Sequence, residues 1–258
     1  MTSPDPIARV SVISTGTVAI RPEHVGPTRK NMYFWLFTSR RWTAPRPINV
    51  YVIEHREGLV LFDIGPDQTL TAGLRKLGHG VEDVRTAVIS HLHQDHIGGL
   101  PELGRSQITV SRQEWESLAR PLPEARGLMP SHIDLPGLRW NRVEPERLAD
   151  ASLAPFGHGH DLFADGSLLL LPTPGHTPGS LSMLVRRPGH RPLLMVGDLT
   201  YDDRLLADGK LPGVGDKGQM RTTTRMVNEL RTRLPGLVVL PAHDPYAAER
   251  LATALERD

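Results

Sequence analysis

Short apolar runs separated by glycine- and proline-containing turns dominate the first part of the chain. The Val- and Ile-rich residues 7–20 predict a strand, and residues 49–54 and 59–63 predict a hairpin. The second arm of that hairpin is apolar almost throughout, which predicts a sheet covered on both faces. Leucines at helical spacing then predict a helix over residues 68–77.

The same alternation of apolar runs and turns continues to the end of the sequence. Residues 120–150 interrupt it, because their many prolines predict loop with short helix. Strand-rich halves with later helices predict an α+β fold, a two-sheet sandwich flanked by helices, in a single domain over residues 1–258. The other predicted strands are 84–90, 108–110, 168–171, 180–185, 193–196 and 237–240, and the other predicted helices begin near Asp95 and after an N-cap at Ser111 and span 222–233 and 246–255.

Composition and charge exclude several classes of function. The chain has 258 residues, 39% hydrophobic and 23% charged, which is typical of a globular protein with a sizeable core. A formal net charge of +1 gives no overall field that would draw the protein to nucleic acid or to an acidic membrane. Cysteine is absent, no apolar run reaches the roughly 20 residues that span a bilayer, and no secretory signal is evident. We expect a cytoplasmic protein without nucleic-acid partners or membrane insertion.

Candidate chemistry is concentrated at residues 90–96, whose sequence is Ser-His-Leu-His-Gln-Asp-His. Neutral packing fits this cluster poorly, because it would leave several donors and acceptors stranded together. Imidazole and carboxylate are good ligands for Zn, Mn, Fe or Co, and without thiolates nothing biases the choice towards softer metals. A solvated polar turn is the alternative, but the clustering favours a metal site that uses His91, His93, Asp95 and His96.

Three more candidate ligands lie just past strand-like runs. His176 stands in a Pro-Gly-His turn, Asp198 follows the run at 193–196, and His243 follows the run at 237–240. A rigid sheet would hold such residues while the turns let them converge. The sequence therefore predicts that distant segments complete the ligand set.

This pattern resembles the metallo-β-lactamase superfamily over nearly the whole chain, from Asp63 in a Phe-Asp-Ile-Gly turn to the late histidine. The resemblance implies a four-layer αβ/βα sandwich with two mixed sheets face to face, and two divalent metal ions, zinc before Mn, Fe or Co. It also implies that Asp63 orients a ligand imidazole. By the same resemblance, one ion takes His91, His93 and His176, and the other takes Asp95, His96 and His243, with Asp198 bridging.

Tyr201 indicates which group within the superfamily the sequence resembles. It follows Asp198 by three positions, the offset at which N-acyl-homoserine lactonases carry a tyrosine that faces the substrate. The resemblance implies lactone ring opening by a hydroxide held between the metals, with Tyr201 donating to the carbonyl oxygen. Asp95, or a water on the second metal, would pass a proton to the leaving alkoxide. Gln94 stands where those lactonases usually carry an apolar residue, and we predict a substrate contact there.

An aromatic stretch at residues 32–37, with Trp42 after it, lies between basic pairs at 29–30 and 40–41. One interpretation is a core strand or helix. The other is a mobile flap within residues 29–47 that covers the site or packs on the second subunit of a homodimer. An apolar flap would suit a small lactone or ester substrate with an apolar acyl chain. The candidate substrate contacts here are Phe34, Trp35, Phe37 and Trp42.

The remaining histidines fit structural roles better than ligation. His158 and His160 form a second His-x-His pair, but no Asp-His follows, and the flanking glycines predict a turn. Isolated histidines are predicted at the surface or at helix caps: His24, His55, His79, His132 and His190. Three acidic residues near the ligands are predicted to be solvated: Asp202, Asp203 and Asp244.

Other functions of the same superfamily stay open. Thioester hydrolysis of the glyoxalase II kind needs a basic pocket for glutathione carboxylates, and no late basic cluster is evident. Phosphotriester hydrolysis stays open because the same hydroxide can attack phosphorus. β-Lactam hydrolysis is disfavoured by Asp198 as a bridging ligand. A non-catalytic module that has kept its metals is the last alternative, and the complete ligand set argues against it.

Overall fold

Two six-stranded mixed β-sheets lie at the centre of the computed structural model, which describes residues 5–66 and 69–256 and all their side chains except that of Tyr33. The ends of the predicted domain and residue 68 of the first predicted helix lie outside the described residues. The strands are β1 (Ile7–Val18), β2 (Arg46–His55), β3 (Gly58–Phe62), β4 (Val84–Val88), β5 (Gln107–Ser111), β6 (Arg139–Val143), β7 (Glu146–Arg147), β8 (His158–Asp161), β9 (Leu168–Pro172), β10 (Leu181–Val185), β11 (Leu193–Met195) and β12 (Val238–Leu240).

Because several strands pair in parallel, the strand ends that precede the candidate ligands lie at a common edge. The first sheet has the order β1-β2-β3-β4-β5-β6, antiparallel from β1 to β3 and parallel from β3 to β6. The second has the order β12-β11-β10-β9-β8-β7, in which β11 and β12 are the parallel pair. The carboxyl ends of β3 and β4 therefore lie side by side, as do those of β11 and β12.

Helices cover the outer faces of both sheets. A central core joins the sheets and includes Phe62 of the first and Leu170 and Met183 of the second. An outer core packs the helix α3 (Thr69–Lys76) on the first sheet through Leu70 and Leu74, and another packs the helix α8 (Lys217–Arg233) on the second sheet. The helices are α1 (Pro22–Val25), α2 (Met32–Thr38), α3 (Thr69–Lys76), α4 (Gln94–Ile97), α5 (Arg112–Glu116), α6 (Pro130–Ile133), α7 (Asp203–Ala207), α8 (Lys217–Arg233) and α9 (Ala247–Leu255). The predicted α+β, four-layer sandwich is confirmed.

Most predicted elements are confirmed with their ends shifted by a few residues, but two regions differ. Residues 120–150 contain β6 and β7 as well as loop and helix, because β5 supplies a parallel partner that local sequence does not reveal. The predicted turn at His158 is the strand β8. Its Gly159 fits closely against β9, since a Cβ there would lie 2.8 Å from the carbonyl oxygen of Leu170.

Two of the acidic residues predicted to be solvated have structural roles instead. Asp202 is the N-cap of α7 and accepts from the backbone N–H of Arg204 at 2.8 Å. Asp244 is buried and accepts from the backbone N–H groups of Asp203 and Tyr246. No helix within the described ranges is long and apolar enough to cross a bilayer.

Candidate metal centre

The predicted ligand residues lie at one edge of the sandwich, where strands of both sheets end. The segment after β4 carries His91 and His93, α4 carries Asp95 and His96, and loops after β9, β11 and β12 supply the others. The structure brings them together in three overlapping groups, within each of which the donor atoms lie within 4.8 Å of one another. The groups are His91, His93 and His176; His91, His96 and Asp198; and Asp95, His96 and His243.

Three imidazole nitrogens of the first group face a common point. His93 Nδ1 lies 3.1 Å from His91 Nε2 and 3.0 Å from His176 Nε2. The other nitrogen of His93 lies 3.0 Å from the carbonyl oxygen of Arg126, so Nε2 carries the proton and Nδ1 presents a lone pair. Nitrogen ligands about 2.0–2.1 Å from a zinc ion would be about 3.4 Å apart around a tetrahedral centre, so this spacing fits a metal.

A buried carboxylate and a hydroxyl hold two of the imidazoles from behind. Asp63 Oδ2 lies 2.9 Å from His96 Nδ1 and accepts a hydrogen bond of 3.0 Å from Ser90 Oγ. The Ser90 hydroxyl, which has donated its proton, in turn accepts from His91 Nδ1 at 3.0 Å. Both imidazoles therefore turn their Nε2 atoms towards the cluster. The sequence predicts that Asp63 orients one imidazole, and the structure places it behind two.

Asp198 faces both sets of histidines. Its Oδ1 lies 3.3 Å from His96 Nε2 and 3.4 Å from His243 Nε2, and its Oδ2 lies 3.6 Å from His176 Nε2. Asp198 Oδ1 and His96 Nε2 are both buried, yet neither makes a well-aligned hydrogen bond within residues 5–66 and 69–256. Unpaired buried polar atoms cost about 1–3 kcal/mol each, so this donor set fits divalent cations better than it fits the protein alone.

Electrostatics divide the cluster into a neutral and a charged part. Burial and the neighbouring imidazoles hold the pKa of His91 well below its usual value, and burial lowers the pKa of His176 to about 3. Burial also opposes charge on His96, but the carboxylates of Asp63 and Asp198 outweigh it and raise the pKa of His96 well above its usual value. Since metals bind neutral imidazole, His91 and His176 are in the binding form at neutral pH.

Glu114 fixes the relative position of two ligand-bearing loops. Its buried carboxylate accepts from the backbone N–H of Leu92 at 3.1 Å and from that of Gly179 at 3.0 Å. The first of these residues lies between His91 and His93, and the second follows the His176 turn. The loop approaches so closely that a Cβ at Gly179 would lie 2.1 Å from Glu114 N.

Arg46 fixes the relative position of two other loops. Its guanidinium donates to the backbone carbonyl oxygens of Tyr201 and His243. The adjacent Pro47 carbonyl lies 3.0 Å from His243 Nδ1, which places the proton on that nitrogen and the lone pair on Nε2. The start of β2 therefore positions both the last histidine and the tyrosine.

A cavity of about 750 Å³ opens onto the cluster. Gln94, Asp95 and Tyr201 are among its polar lining residues, and Met32 and Leu36 are among its apolar lining residues. The predicted substrate contact Gln94 is thus placed in the cavity wall. A volume of this size is typical of a small-molecule site.

Tyr201 is buried beside the cluster with its hydroxyl aimed at the carboxylate between the two groups. The hydroxyl donates to Asp198 Oδ2 at 3.0 Å, and the ring stacks on that of His243 with centroids 5.6 Å apart. Burial, together with the charges of Asp198 and Asp95, raises the pKa of Tyr201 well above its usual value. The hydroxyl is therefore a proton donor at neutral pH.

The aromatic stretch forms α2 and the segment that follows it. Trp35 is fully buried in a hydrophobic cluster that also contains Tyr201 and Val214. Phe34, Phe37 and Trp42 are exposed, and none of them is among the described residues that line the cavity. The structure therefore brings Trp35 near the site and leaves the other three at the surface, and their contact with substrate stays a prediction.

Sequence reasoning missed several residues around the cluster. His24, predicted at the surface or at a cap, lines the cavity and packs edge-on against Trp35 with ring centroids 4.7 Å apart. Glu114 stands three residues after the N-cap Ser111, where a capping-box residue would stand, but its side chain reaches the ligand loops instead. Arg46 carries no local signal, because its partners lie about 150 to 200 residues away in sequence.

Similarity to known proteins agrees with this geometry. The family model described as the metallo-beta-lactamase superfamily matches residues 43–243. The chain belongs to the metallo-beta-lactamase superfamily. This member of the superfamily is 34% identical over 184 residues to the N-acyl homoserine lactonase AttM of Azorhizobium caulinodans. That alignment covers 70% of this chain and 66% of the relative, so the matched part spans just under two thirds of the relative's length.

Solved structures of the superfamily share the fold. One is an N-acyl homoserine lactone hydrolase with N-hexanoyl-L-homoserine bound at its catalytic metal centre, with a TM-score of 0.72, 20% identity, and coverage of 98% of this chain and 97% of that one. Another is AidC, described as a dizinc quorum-quenching lactonase, with a TM-score of 0.64, 18% identity, and coverage of 95% and 92%. At these identities the similarity establishes the fold.

Proposed function

We propose that this protein is a metal-dependent hydrolase that opens the lactone ring of N-acyl homoserine lactones. The observation that carries the proposal is the buried cluster of imidazole nitrogens around Asp198, with the Tyr201 hydroxyl 3.0 Å from that carboxylate and a cavity of about 750 Å³ beside it. The relative AttM, at 34% identity, is named for this activity, which supports the substrate class.

Two divalent ions would be held here, and zinc suits the imidazole-rich ligands best. When bound, such ions supply an activated water at neutral pH and a positive charge that polarises a carbonyl. The structural neighbour AidC, described as dizinc, supports the number and the metal. One ion would take His91, His93 and His176, and the other would take Asp95, His96 and His243, with Asp198 between them.

Two side chains would take part in the reaction, one stabilising the negative charge on the carbonyl oxygen and the other transferring a proton to the leaving alkoxide. Tyr201 stays protonated at neutral pH, so its hydroxyl would donate to the carbonyl oxygen as that oxygen gains negative charge. Burial opposes charge on Asp95, but the neighbouring His96 and His243 lower its pKa below the usual value, so its carboxylate is ionised. It is one-third exposed towards the cavity, where it would accept a proton and return it to the leaving alkoxide.

The apolar side chains that line the cavity would contact the acyl chain. Met32, Leu36, Ile20 and Val214 line the cavity, and they lie on segments distinct from those that carry the ligands. Burying a methylene group against such side chains contributes roughly 0.8 kcal/mol, so longer acyl chains should bind more tightly until the cavity is filled.

We also infer that the whole chain acts as a single domain. The first sheet supplies the loops that carry Asp63 and residues 91–96, and the second supplies the loops that carry His176, Asp198 and His243. Neither sheet alone supplies the complete ligand group of either proposed ion. A homodimer stays a prediction from the aromatic stretch.

The test is ring opening of N-acyl homoserine lactones of increasing acyl length, followed as acid release by the zinc-loaded protein, with a chelator-treated sample as control. Metal-dependent turnover that improves with acyl length is expected. A protein that binds two zinc ions but opens none of these lactones would contradict the proposal. Thioester and phosphotriester substrates, assayed in parallel, would then identify the alternative hydrolases, and inactivity on all of them would indicate a non-catalytic metal-binding module.

A further inference from the structure

Helix α2 and the segment after it present large apolar side chains to solvent. Phe37 is 88% exposed, Trp42 60%, Phe34 58% and Leu36 37%. We call these four residues the aromatic rim. Most of the other large hydrophobic residues in the described ranges are buried, so this concentration marks an interaction surface rather than ordinary surface composition.

The exposure is built into the local structure. Trp35 points inward and is fully buried, whereas Phe34 and Phe37 of the same helix are exposed. The Arg21 guanidinium stacks on the Trp42 ring, 3.6 Å from its centroid, and the Thr43 N–H donates to the carbonyl oxygen of Ile20 at 2.8 Å. These contacts hold the Trp42 end of the rim against the segment before α1.

Positive charge outweighs negative charge around the rim, where the carboxylate of Glu23 lies near Lys30 and Arg41 and offsets part of their charge. The sequence between Glu23 and Glu54 contains five basic residues and no Asp or Glu. Four of the five are exposed and flank the rim in pairs: Arg29 and Lys30 before it, and Arg40 and Arg41 within it. The formal net charge of +1 describes the chain as a whole and does not reveal this local cluster.

The rim also borders the mouth of the cavity. Leu36 belongs both to the rim and to the cavity wall, and Met32 of the same helix lines the cavity as well. Exposed Arg120 lines another part of the same cavity, and exposed Leu122 lies two residues beyond it. Whatever binds the rim would therefore lie next to the entrance.

We propose that the aromatic rim docks on an anionic lipid surface, with the cavity mouth towards the bilayer. Aromatic side chains are favoured at the boundary between head groups and acyl chains, and each nearby Lys or Arg strengthens binding to anionic lipid about fivefold. Docking on lipid does not depend on the proposed lactonase function. Entry of an acyl substrate from the lipid does depend on it.

A second copy of the chain fits this surface less well. A two-fold contact through the rim would place the exposed Arg29, Lys30, Arg40 and Arg41 of one protomer near the same four residues of its partner. Like charges brought together in this way oppose association. An anionic lipid surface supplies the complementary charge that a second copy lacks.

The experiment is co-sedimentation of the zinc-loaded protein with vesicles of phosphatidylcholine alone or mixed with phosphatidylglycerol. Binding that appears with phosphatidylglycerol and weakens in high salt is expected. Phe34→Ser with Phe37→Ser should abolish it. Arg40→Gln with Arg41→Gln should weaken binding to the anionic vesicles about 25-fold, since two cations are lost.

Matched substitutions away from the rim serve as controls. Tyr246→Ser removes an aromatic side chain that is 61% exposed elsewhere, and Arg75→Gln with Lys76→Gln removes an exposed basic pair at the end of α3. Both should bind vesicles like the wild type, and zinc content should be equal in all variants. Absence of wild-type binding would overturn the proposal. A second result would also overturn it. In that result the wild type binds no vesicles and is a dimer in sedimentation equilibrium, and the Phe34→Ser, Phe37→Ser variant is a monomer.

Discussion

At the scale of single residues, hydrogen bonds made behind the ligands decide which imidazole nitrogens face the cluster. Asp63 reaches His96 directly and His91 through the Ser90 hydroxyl. The backbone of Asp63 has φ of +60°, a left-handed conformation that costs energy for a residue with a side chain. That strained turn places the carboxylate where both imidazoles can be held.

Asp63→Asn should weaken zinc binding by about 10- to 100-fold, because the amide keeps the size but loses a charged acceptor behind two ligands. Zinc affinity can be measured by competition with a chromophoric chelator. Asp165→Asn is a matched control, since Asp165 is partly buried and accepts hydrogen bonds from Ser167 and Arg56 on another part of the molecule. Equal affinities in the two variants would show that Asp63 does not support the site.

Tyr201→Phe should lower kcat by about 10²- to 10³-fold if the hydroxyl stabilises the developing oxyanion. The zinc content should stay that of the wild type, because the hydroxyl is not one of the ligand donors. Steady-state kinetics on an N-acyl homoserine lactone, with metal analysis of the same sample, checks both parts. Unchanged kcat would remove Tyr201 from the mechanism.

At the scale of secondary-structure elements, the site depends on how loops are tied to one another. The loop after β4 and the loop after β9 belong to different sheets, and Glu114 of α5 joins their backbones. Such a contact is invisible to periodicity, because the three segments are separated by tens of residues. The turns themselves were predictable from their glycines and prolines, but the group that joins them was not.

Glu114→Gln should weaken the group formed by His91, His93 and His176 more than the other group. Its amide can still accept one backbone N–H but turns a donor towards the second, which leaves a buried N–H unpaired at a cost of about 1–3 kcal/mol. Zinc titration should show one weakened equivalent, together with a lower unfolding temperature.

Glu102→Gln provides the comparison for this variant. Glu102 accepts from Thr71 Oγ1 on the outer layer, away from the ligand loops. It should leave both zinc equivalents at wild-type affinity. An unchanged zinc titration of Glu114→Gln would contradict the role of Glu114 in joining the two loops.

The helix α2 shows where sequence patterns stop being informative. Residues 32–37 are almost all apolar, so neither helical nor strand periodicity distinguishes the inward side chain from the outward ones. Burial of Trp35 follows from its place in a cluster with Tyr201 and Val214, which are distant in sequence. By contrast, α8 and α9 combine polar positions with buried apolar ones, and both helices were predicted from the sequence.

At the scale of the whole molecule, both sheets contribute donors to one cluster. The sandwich was predictable because its strands are strongly apolar and the ligand pattern is specific. β6 and β7 were not, because their sequences are polar and short and only pairing defines them. The grouping of the candidate ligands was predictable from one dense cluster and three strand ends, whereas the positions of Arg46 and His24 depend on tertiary contacts alone.

Zinc should stabilise the folded chain strongly, because ligands from both sheets must separate when it unfolds. At a free zinc concentration about 1,000 times the dissociation constant, the free energy of unfolding should rise by about 4 kcal/mol. Thermal unfolding with zinc and with a chelator measures this. A chelated protein that is proved metal-free and melts at the same temperature would contradict it.

The position of Asp63 has a consequence for how the ions enter. One carboxylate steadies His96 of one group and, through Ser90, His91 of the other, and Asp198 faces both groups. Ordering these shared supports for the first ion prepares them for the second, so loading should be cooperative, with little singly loaded protein at intermediate zinc. Asp63 would then couple two binding events, and a cell short of zinc would contain full and empty molecules rather than half-filled ones.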